Sequence, residues 1–389
     1  MTDKVDVAAV FCRYGDQYSQ THRMSPAQLK VFNLIKICRT SALGGHLQKC
    51  DGCGYQRPAY NSCRNRHCPK CQSLAKEKWL DARMAEVLPC SYFHLVFTLA
   101  HELNALIRAN KRILLSLVFK TAAEVITAFA KDPQWRLGGK PALIAVLHTW
   151  SQTLLDHYHL HCLVPAGVLS FDQQRWISAR KNYLFSKKAL AKAFKNRYIQ
   201  RLVGLYENGQ LKFYGKSQAL AEADTFGRMI RRLRKKKWIV EARAPFAGPA
   251  QVLEYLGRYT HRVAISNNRI VSMQKHTVTF TYRDRADNNV QKQMSLAATE
   301  FIRRFLLHVL PDGFVKIRYF GFLAHRNKKR CIALIRKLID PKAEPIPKRD
   351  ETAAGMMLRL TGIDINACPQ CGKGKMVKAR PLVKIRAAL

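Results

Sequence analysis

Three groups of residues in this chain have the types and spacing to do chemistry. The first is in HYHLHCLVPAG, where His157, His159 and His161 take alternate positions. Alternate side chains of a strand share a face, so the three imidazoles would line up opposite Tyr158, Leu160 and Cys162. His159 and His161 would sit roughly 6.6 Å apart along a strand, close enough to chelate one divalent cation. His157 could join them, although a third ligand from another element is as good a fit. Spacing alone leaves a metal clamp and a set of hydrogen-bonded core histidines both open, since buried imidazoles need partners.

The second group is cysteines. The chain has 12 of them, more than a reducing compartment would hold as disulfides. Cys50-x2-Cys53 and Cys68-x2-Cys71 form two knuckles. Each knuckle can place two thiolates on a tetrahedral ion, so the four are predicted to hold a structural Zn2+. Cys63, His67 and His46 are surplus ligands that could replace a knuckle member or bind a second ion. Cys12, Cys38, Cys90, Cys162 and Cys331 are expected to be small buried hydrophobes. Cys368-x2-Cys371 is half of a zinc ribbon with no second half nearby; a free tail and a second zinc site both fit.

The third group is Tyr255 and Tyr259 in GPAQVLEYLGRYTHR. Pro249 suits the first turn of a helix, and i,i+4 spacing puts both phenols on one face. Gly257 between them costs about 1 kcal/mol in a helix interior, which close approach of another backbone or of DNA would explain. Two tyrosines on one face can be core aromatics. They can also be nucleophiles: a phenol of pKa about 10 reacts poorly alone, but a divalent ion can activate a phosphate for attack. Histidines and tyrosines together describe nicking and joining of DNA without a nucleotide cofactor.

The elements needed to position these groups are legible in outline. YFHLVFTLA, ALIAVLHTW and YHLHCLVPAG read as strands, and residues 102–131 and 186–207 as helices. Ser25 and Pro26 mark a helix start. RVAISNNRIVSM and HTVTFTYRD alternate apolar and polar residues, with Asn267-Asn268 as a turn. A helix is expected near 297–310. The mixture gives an α+β class with antiparallel pairing. The expected divisions are 1–45 (helical), 46–85 (zinc-binding), 86–340 (catalytic) and 341–389 (a basic tail with the last cysteine pair).

Charge names the partner class. Lys and Arg number 67 against 26 Asp and Glu, a net charge of +41, which calls for a polyanion. The densest stretch, RMIRRLRKKKW, carries Arg231, Arg232, Arg234, Lys235, Lys236 and Lys237; as a helix its charge would wrap all round, suiting DNA contact. Trp238, Tyr183, Phe185 and Tyr214 could stack on unpaired bases. No run approaches the roughly 18 apolar residues of a membrane span, and the N-terminus lacks a signal-peptide pattern, so a cytoplasmic protein with no membrane partner is expected.

The order of these motifs resembles the HUH two-tyrosine transposases of the insertion-sequence-91 family, over nearly all of the chain. YNSCRNRHCPKCQ resembles that family's N-terminal zinc-binding domain, HYHLHCLVPAG its HUH motif and EYLGRYTHRVAIS its two-tyrosine motif. FIRRFLLHVLPDGFVKIRYFGFLAHR and FTLAHELN are similar as well. The resemblance implies a central antiparallel sheet flanked by helices and preceded by a small zinc-binding domain. It implies that His159 and His161 bind Mg2+ or Mn2+, and that Tyr255 and Tyr259 each form a 5′-phosphotyrosine. It further implies rolling-circle-like transposition through single-stranded DNA at the element ends and the target. A departure from the family pattern is the third metal ligand, for which His157 and Glu254 are the candidates. An HUH replication initiator or relaxase shares the chemistry, but the zinc cluster and tyrosine spacing favour a transposase. A non-catalytic zinc-dependent DNA-binding protein would leave the histidines and paired tyrosines unexplained.

Overall fold

A computed structural model describes residues 5–180, 183–246, 251, 257, 263–284, 286–342, 344, 347 and 350–385. The helix expected over GPAQVLEYLGRYTHR, with Glu254, Tyr255 and Tyr259, lies outside the described residues except for Gln251 and Gly257.

The chain is α+β with antiparallel sheets. Two helices open it, α1 (Val7–Thr21) and α2 (Pro26–Lys36). Ser25 caps α2 as expected, in a reciprocal capping box with Gln28 and with Pro26 in the first turn. Strands β1 (Gly45–Cys50) and β2 (Gln56–Tyr60) follow, then α3 (Pro69–Met84). Next come β3 (Tyr92–Thr98), α4 (Asn104–Ala109) and α5 (Lys111–Lys131). A short β4 (Gly139–Lys140) precedes the long pair β5 (Ala142–Trp150) and β6 (Asp156–Pro165). β7 (Gly167–Ser170), β8 (Trp176–Ser178), α6 (Lys187–Glu207), α7 (Ala223–Lys235) and β9 (Ile239–Phe246) complete this half. After it come β10 (Ile270–Gln274), β11 (Thr277–Asp284), β12 (Val290–Ala297) and α8 (Ala298–Leu307). β13 (Ile317–Gly321), α9 (Lys328–Ile339), α10 (Ala353–Thr361) and β14 (Met376–Leu382) end the described fold.

The central sheet has five strands in the order β13-β5-β6-β3-β9. Its two faces differ because side chains alternate. Phe93, Leu95, Phe97, Ala145, Leu147, Leu160 and Cys162 point to a core shared with α5 and α6. On the opposite face Tyr92, Ile144 and Leu163 pack at one end with α9 residues Cys331, Ile332 and Ile335. Further along the same strands this face carries histidines.

A second sheet, β10-β11-β12, packs with α1, α2 and α8 in a separate core. Phe11 meets Phe305 edge-on at 5.3 Å and Phe32 at 5.4 Å, which joins the N-terminal helices to this sheet's helix. The β10–β11 turn lies at Lys275-His276, both with positive φ (43° and 62°), the primed hairpin geometry. The turn expected at Asn267-Asn268 is instead part of a short 3-10 turn, Asn267–Arg269, that enters β10. Strand β12 had no clear sequence signal, because its apolar residues are few and its outer face is exposed.

α7 also differs from expectation. Its charge does not wrap all round: Phe226, Met229, Ile230 and Leu233 form a buried stripe, with basic residues on the rest of the surface. Trp238 sits in the core, between the rings of Phe194 and Tyr198, and donates its indole N–H to the Leu233 carbonyl at 3.2 Å. Phe185 is likewise core, against Phe129 and Trp135. Neither can stack on a base as placed.

Helix α5 is long and apolar enough to cross a membrane by length and composition. Its Leu114, Leu115, Val118, Phe119 and Ile126 are instead buried in the main core. Leu160, fully buried on the helical side of β6, tests how far the sheet depends on this layer. Leu160→Ala is expected to cost about 2–5 kcal/mol. Chemical denaturation checks this; a cost under about 1 kcal/mol would mean the helical layer does not hold the sheet.

Candidate functional site

The histidine site is set by strand register. β5 and β6 pair antiparallel with His148 directly across from His159, and Val146 across from His161. His148, His159 and His161 therefore share one face, and each offers a ring nitrogen within 4.8 Å of the others. All three are nearly buried, at 2%, 7% and 6% exposure. On the next strand, His94 of β3 lies on the same face, its ring stacked on His161 at 5.1 Å.

Surrounding bonds orient the rings. His159 Nδ1 lies 2.8 Å from the carbonyl oxygen of His157. With the proton on Nδ1, this bond leaves Nε2 as the ligand atom. His161 Nδ1 lies 2.9 Å from His94 Nε2, and the same tautomer leaves His161 Nε2 for a metal. Burial, with Arg243 nearby, pushes the His94 pKa down to about 3, so His94 is a neutral partner. Bonds that fix the tautomer through the other ring nitrogen are what metal-ligating histidines would need. The start of β6 is fixed too: Arg108 pairs with Asp156 at 2.6 Å, and Tyr158 donates its hydroxyl to Asp156 at 3.1 Å.

The face opens into a cleft of about 290 Å³, lined also by Trp150, Arg269, Tyr282, Arg283 and Asp284. Arg269 donates to the carbonyls of Thr281 and Gln152, which ties the second sheet to the β5–β6 connection. The residues fit a divalent cation: three convergent imidazoles, two with oriented tautomers, and an open side.

His148 is the third member that the motif lacked. His157 is near, its ring 4.6 Å from that of His159, but it lies outside the three-histidine cluster. Its backbone, not its ring, positions His159. Glu254 lies outside the described residues. ALIAVLHTW did carry the signal, since His148 falls on the face opposite Ala145 and Leu147 once the run is a strand; the missing information was the pairing register.

The cysteines separate into two quartets. Cys50 and Cys53 do not join Cys68 and Cys71, as a single ion would require. Cys68 and Cys71 cluster with Cys38 and Cys63, while Cys50 and Cys53 cluster with Cys368 and Cys371. In the first quartet Cys71 Sγ lies 3.6 Å from both Cys38 Sγ and Cys63 Sγ. A disulfide needs about 2.05 Å. The edge of a tetrahedron with Zn–S of about 2.3 Å is close to 3.8 Å, so the thiol groups fit a zinc ion. Cys38, expected to be a plain core residue, is a member because α2 delivers it beside the knuckle. Cys63 joins as one of the surplus ligands. His67 does not: it is half-buried at the junction with the main body, where its Nε2 accepts from the Leu310 N–H at 3.4 Å. Burial and the neighbouring Arg66 hold its pKa down at about 3. His46 belongs to neither quartet. Among the other cysteines, Cys162 and Cys331 are buried as expected, Cys90 is half-buried and Cys12 is exposed.

Two arginines of the zinc module bond to the protein itself. Arg66 donates to the carbonyls of Phe314 and Pro311, and Arg57 to the Gln48 side chain and the Ile365 carbonyl. Exposed positive charge lies on α7 and just beyond it, at Arg231, Arg232, Arg234, Lys235 and Lys237. Lys236 is half-buried and pairs with Glu102 at 2.6 Å. Gly257 sits against α3: a Cβ there would lie 2.7 Å from Leu80 Cδ1. The close approach that explains this glycine is therefore a protein side chain.

Sequence relatives agree with this architecture. Residues 10–99 match a family model described as "Transposase zinc-binding domain", and residues 142–330 one described as "Putative transposase". The "Putative transposase y4qJ" of Sinorhizobium fredii (strain NBRC 101917 / NGR234) is 45% identical over 96% of this chain and 94% of its own length. The "Transposase for insertion sequence element IS801" of Pseudomonas savastanoi pv. phaseolicola is 29% identical over 89% of this chain and 82% of its own. No solved structure matches. A zinc-binding module joined to a transposase body defines a DNA-transposing enzyme. The chain belongs to the insertion-sequence-91 family of transposases, with an N-terminal zinc-binding domain.

Calorimetric titration with Mn2+ tests the histidine set. His148→Ala is expected to weaken binding as severely as His159→Ala, and His94→Leu by about 10–100-fold. His157→Ala should bind nearly as wild type, because its ring lies outside the three-histidine cluster. Unchanged affinity in His148→Ala would remove it as a ligand.

Proposed function

We propose that this transposase nicks and rejoins single-stranded DNA by tyrosine attack beside the three-histidine centre. The observation that carries this reading is the His148–His159–His161 cluster on the open face of an antiparallel sheet. A divalent cation held there would polarise the scissile phosphate and favour departure of the leaving oxygen. All-nitrogen donors suit Mn2+ better than Mg2+, which prefers oxygen ligands.

The chain's own residues do the rest. Tyr255 and Tyr259 are the nucleophiles in this reading. The phenol gives up its proton, its oxygen bonds to phosphorus, and the P–O3′ bond breaks. The leaving strand takes up a proton as a free 3′-OH, and the other strand is held as a 5′-phosphotyrosine. The bond energy is kept, so rejoining needs no nucleotide. Two tyrosines allow one to cleave at the element end and the other to act at the target, the logic of rolling-circle-like transposition. Gly257, between them in sequence, lies close against Leu80 of α3. Arg231, Arg232, Arg234, Lys235, Lys236 and Lys237 would contact the phosphates of the strand. Cys38, Cys63, Cys68 and Cys71 would hold the structural zinc of the N-terminal domain. The catalytic division is taken to span residues 86–340; its zinc-binding companion, expected over 46–85, would reach back to take in Cys38.

Incubation with single-stranded oligonucleotides from the ends of the element, with Mn2+ or Mg2+, should give a covalent protein–DNA adduct. The adduct should vanish with EDTA and in Tyr255→Phe/Tyr259→Phe. Its persistence in either case would refute the mechanism. Each charge removed at an α7 phosphate contact should flatten the salt dependence of single-strand binding by about 0.7 in log–log slope. An unchanged slope in an Arg231→Ala/Arg232→Ala/Arg234→Ala variant would move the DNA path elsewhere.

A further inference from the structure

The second cysteine quartet joins residues from the two ends of the described fold. Cys50 Sγ lies 3.8 Å from Cys371 Sγ, and Cys53 Sγ 3.7 Å from Cys368 Sγ. All four sulfurs lie within 4.8 Å of one another. These separations are far too long for disulfides and match the edges of a zinc–thiolate tetrahedron.

The surroundings are those of paired metal knuckles. The N–H groups of Gly52 and Cys53 point at Cys50 Sγ, both at 3.4 Å, and the Gly374 N–H points at Cys371 Sγ at 3.3 Å. Each turn thus supplies donors that stabilise a thiolate. The turns also clasp one another. Asp51 exchanges hydrogen bonds with Lys375, through its N–H to the Lys375 carbonyl and through its Oδ1 from the Lys375 N–H. A side chain at Gly374 would collide with Cys50 Sγ, so the glycine keeps the centre open for close approach of the second knuckle. Cys50 and Cys368 are each 1% exposed. Among the described residues, the small cluster around them has only Met376, Tyr55 and Cys371 for apolar support, too little to order the segment without a cross-link.

We propose that Cys50, Cys53, Cys368 and Cys371 bind a second structural Zn2+, which fastens the C-terminal segment to the N-terminal zinc-binding domain. The site is independent of the nicking chemistry. It also explains how the tail reaches its place, with β14 as the outer strand on β1 and Arg359 of α10 facing Asp81 of α3 at 3.9 Å.

Metal analysis of the full chain, purified under reducing conditions, should find two zinc ions per chain. Cys368→Ser/Cys371→Ser should retain one and expose residues beyond 340 to limited proteolysis. Cys371→His, which keeps a ligand, should restore the second zinc and protease resistance. One zinc in the wild type, or two in the double serine variant, would overturn the proposal. Adduct formation with DNA, measured on the same preparations, reports separately on the nicking reaction.

Discussion

The pairing register of β5 with β6 is the constraint on which the rest depends. A strand slip of one residue moves every side chain to the other face. Here it would send His159 and His161 into the helical core and bring Leu160 and Cys162 out to the cleft. Neither could be tolerated, because the helical face is packed with Phe97, Leu147 and Phe194. The hydrophobic core therefore does more than stabilise the sheet. It fixes which nitrogen atoms meet on the far side, and His148 becomes a ligand candidate by lying opposite His159.

This explains the unequal covering of the sheet. The helical layer of α5 and α6 gives the strands their burial. On the other face, α9 covers one end, and the histidines take the other, beside the cleft. Polar groups at that end are held by direct bonds, from the His94–His161 contact to the Arg108–Asp156 pair. The cleft is then closed on one side by the second sheet, which Arg269 anchors to the β5–β6 connection. A preorganised ligand set needs this kind of support, since loose rings would not hold one geometry.

How much of this was legible depends on the range of the interaction. Local signals worked: the Ser25–Pro26 helix start, the alternating histidines, the apolar strands. Signals that depend on distant pairing did not. His148 was visible as a residue but not as a partner. Cys38 looked like a lone core cysteine because its knuckle begins 25 residues later, at Cys63. The grouping of Cys50 and Cys53 with Cys68 and Cys71 followed sequence proximity, whereas the fold brings in Cys368 and Cys371 from the far end. The charge of α7 seemed to wrap all round because the window began at Arg228 and omitted Phe226, the first residue of its buried stripe. Trp238, whose type suits base stacking, is a core residue at the entry to β9.

The position of β14 bears on how copies of this enzyme come into being. β1 is the middle strand of its sheet only because β14 pairs with it, and β14 is made long after β1. Until then the outer N–H and C=O groups of β1 have no strand to meet, and such an edge is a template for other chains. A copy shortened by a stop codon or a decayed element would keep that edge open for good. The sheet is thus completed only by the C-terminal strand, which covers the edge of β1 that β2 does not.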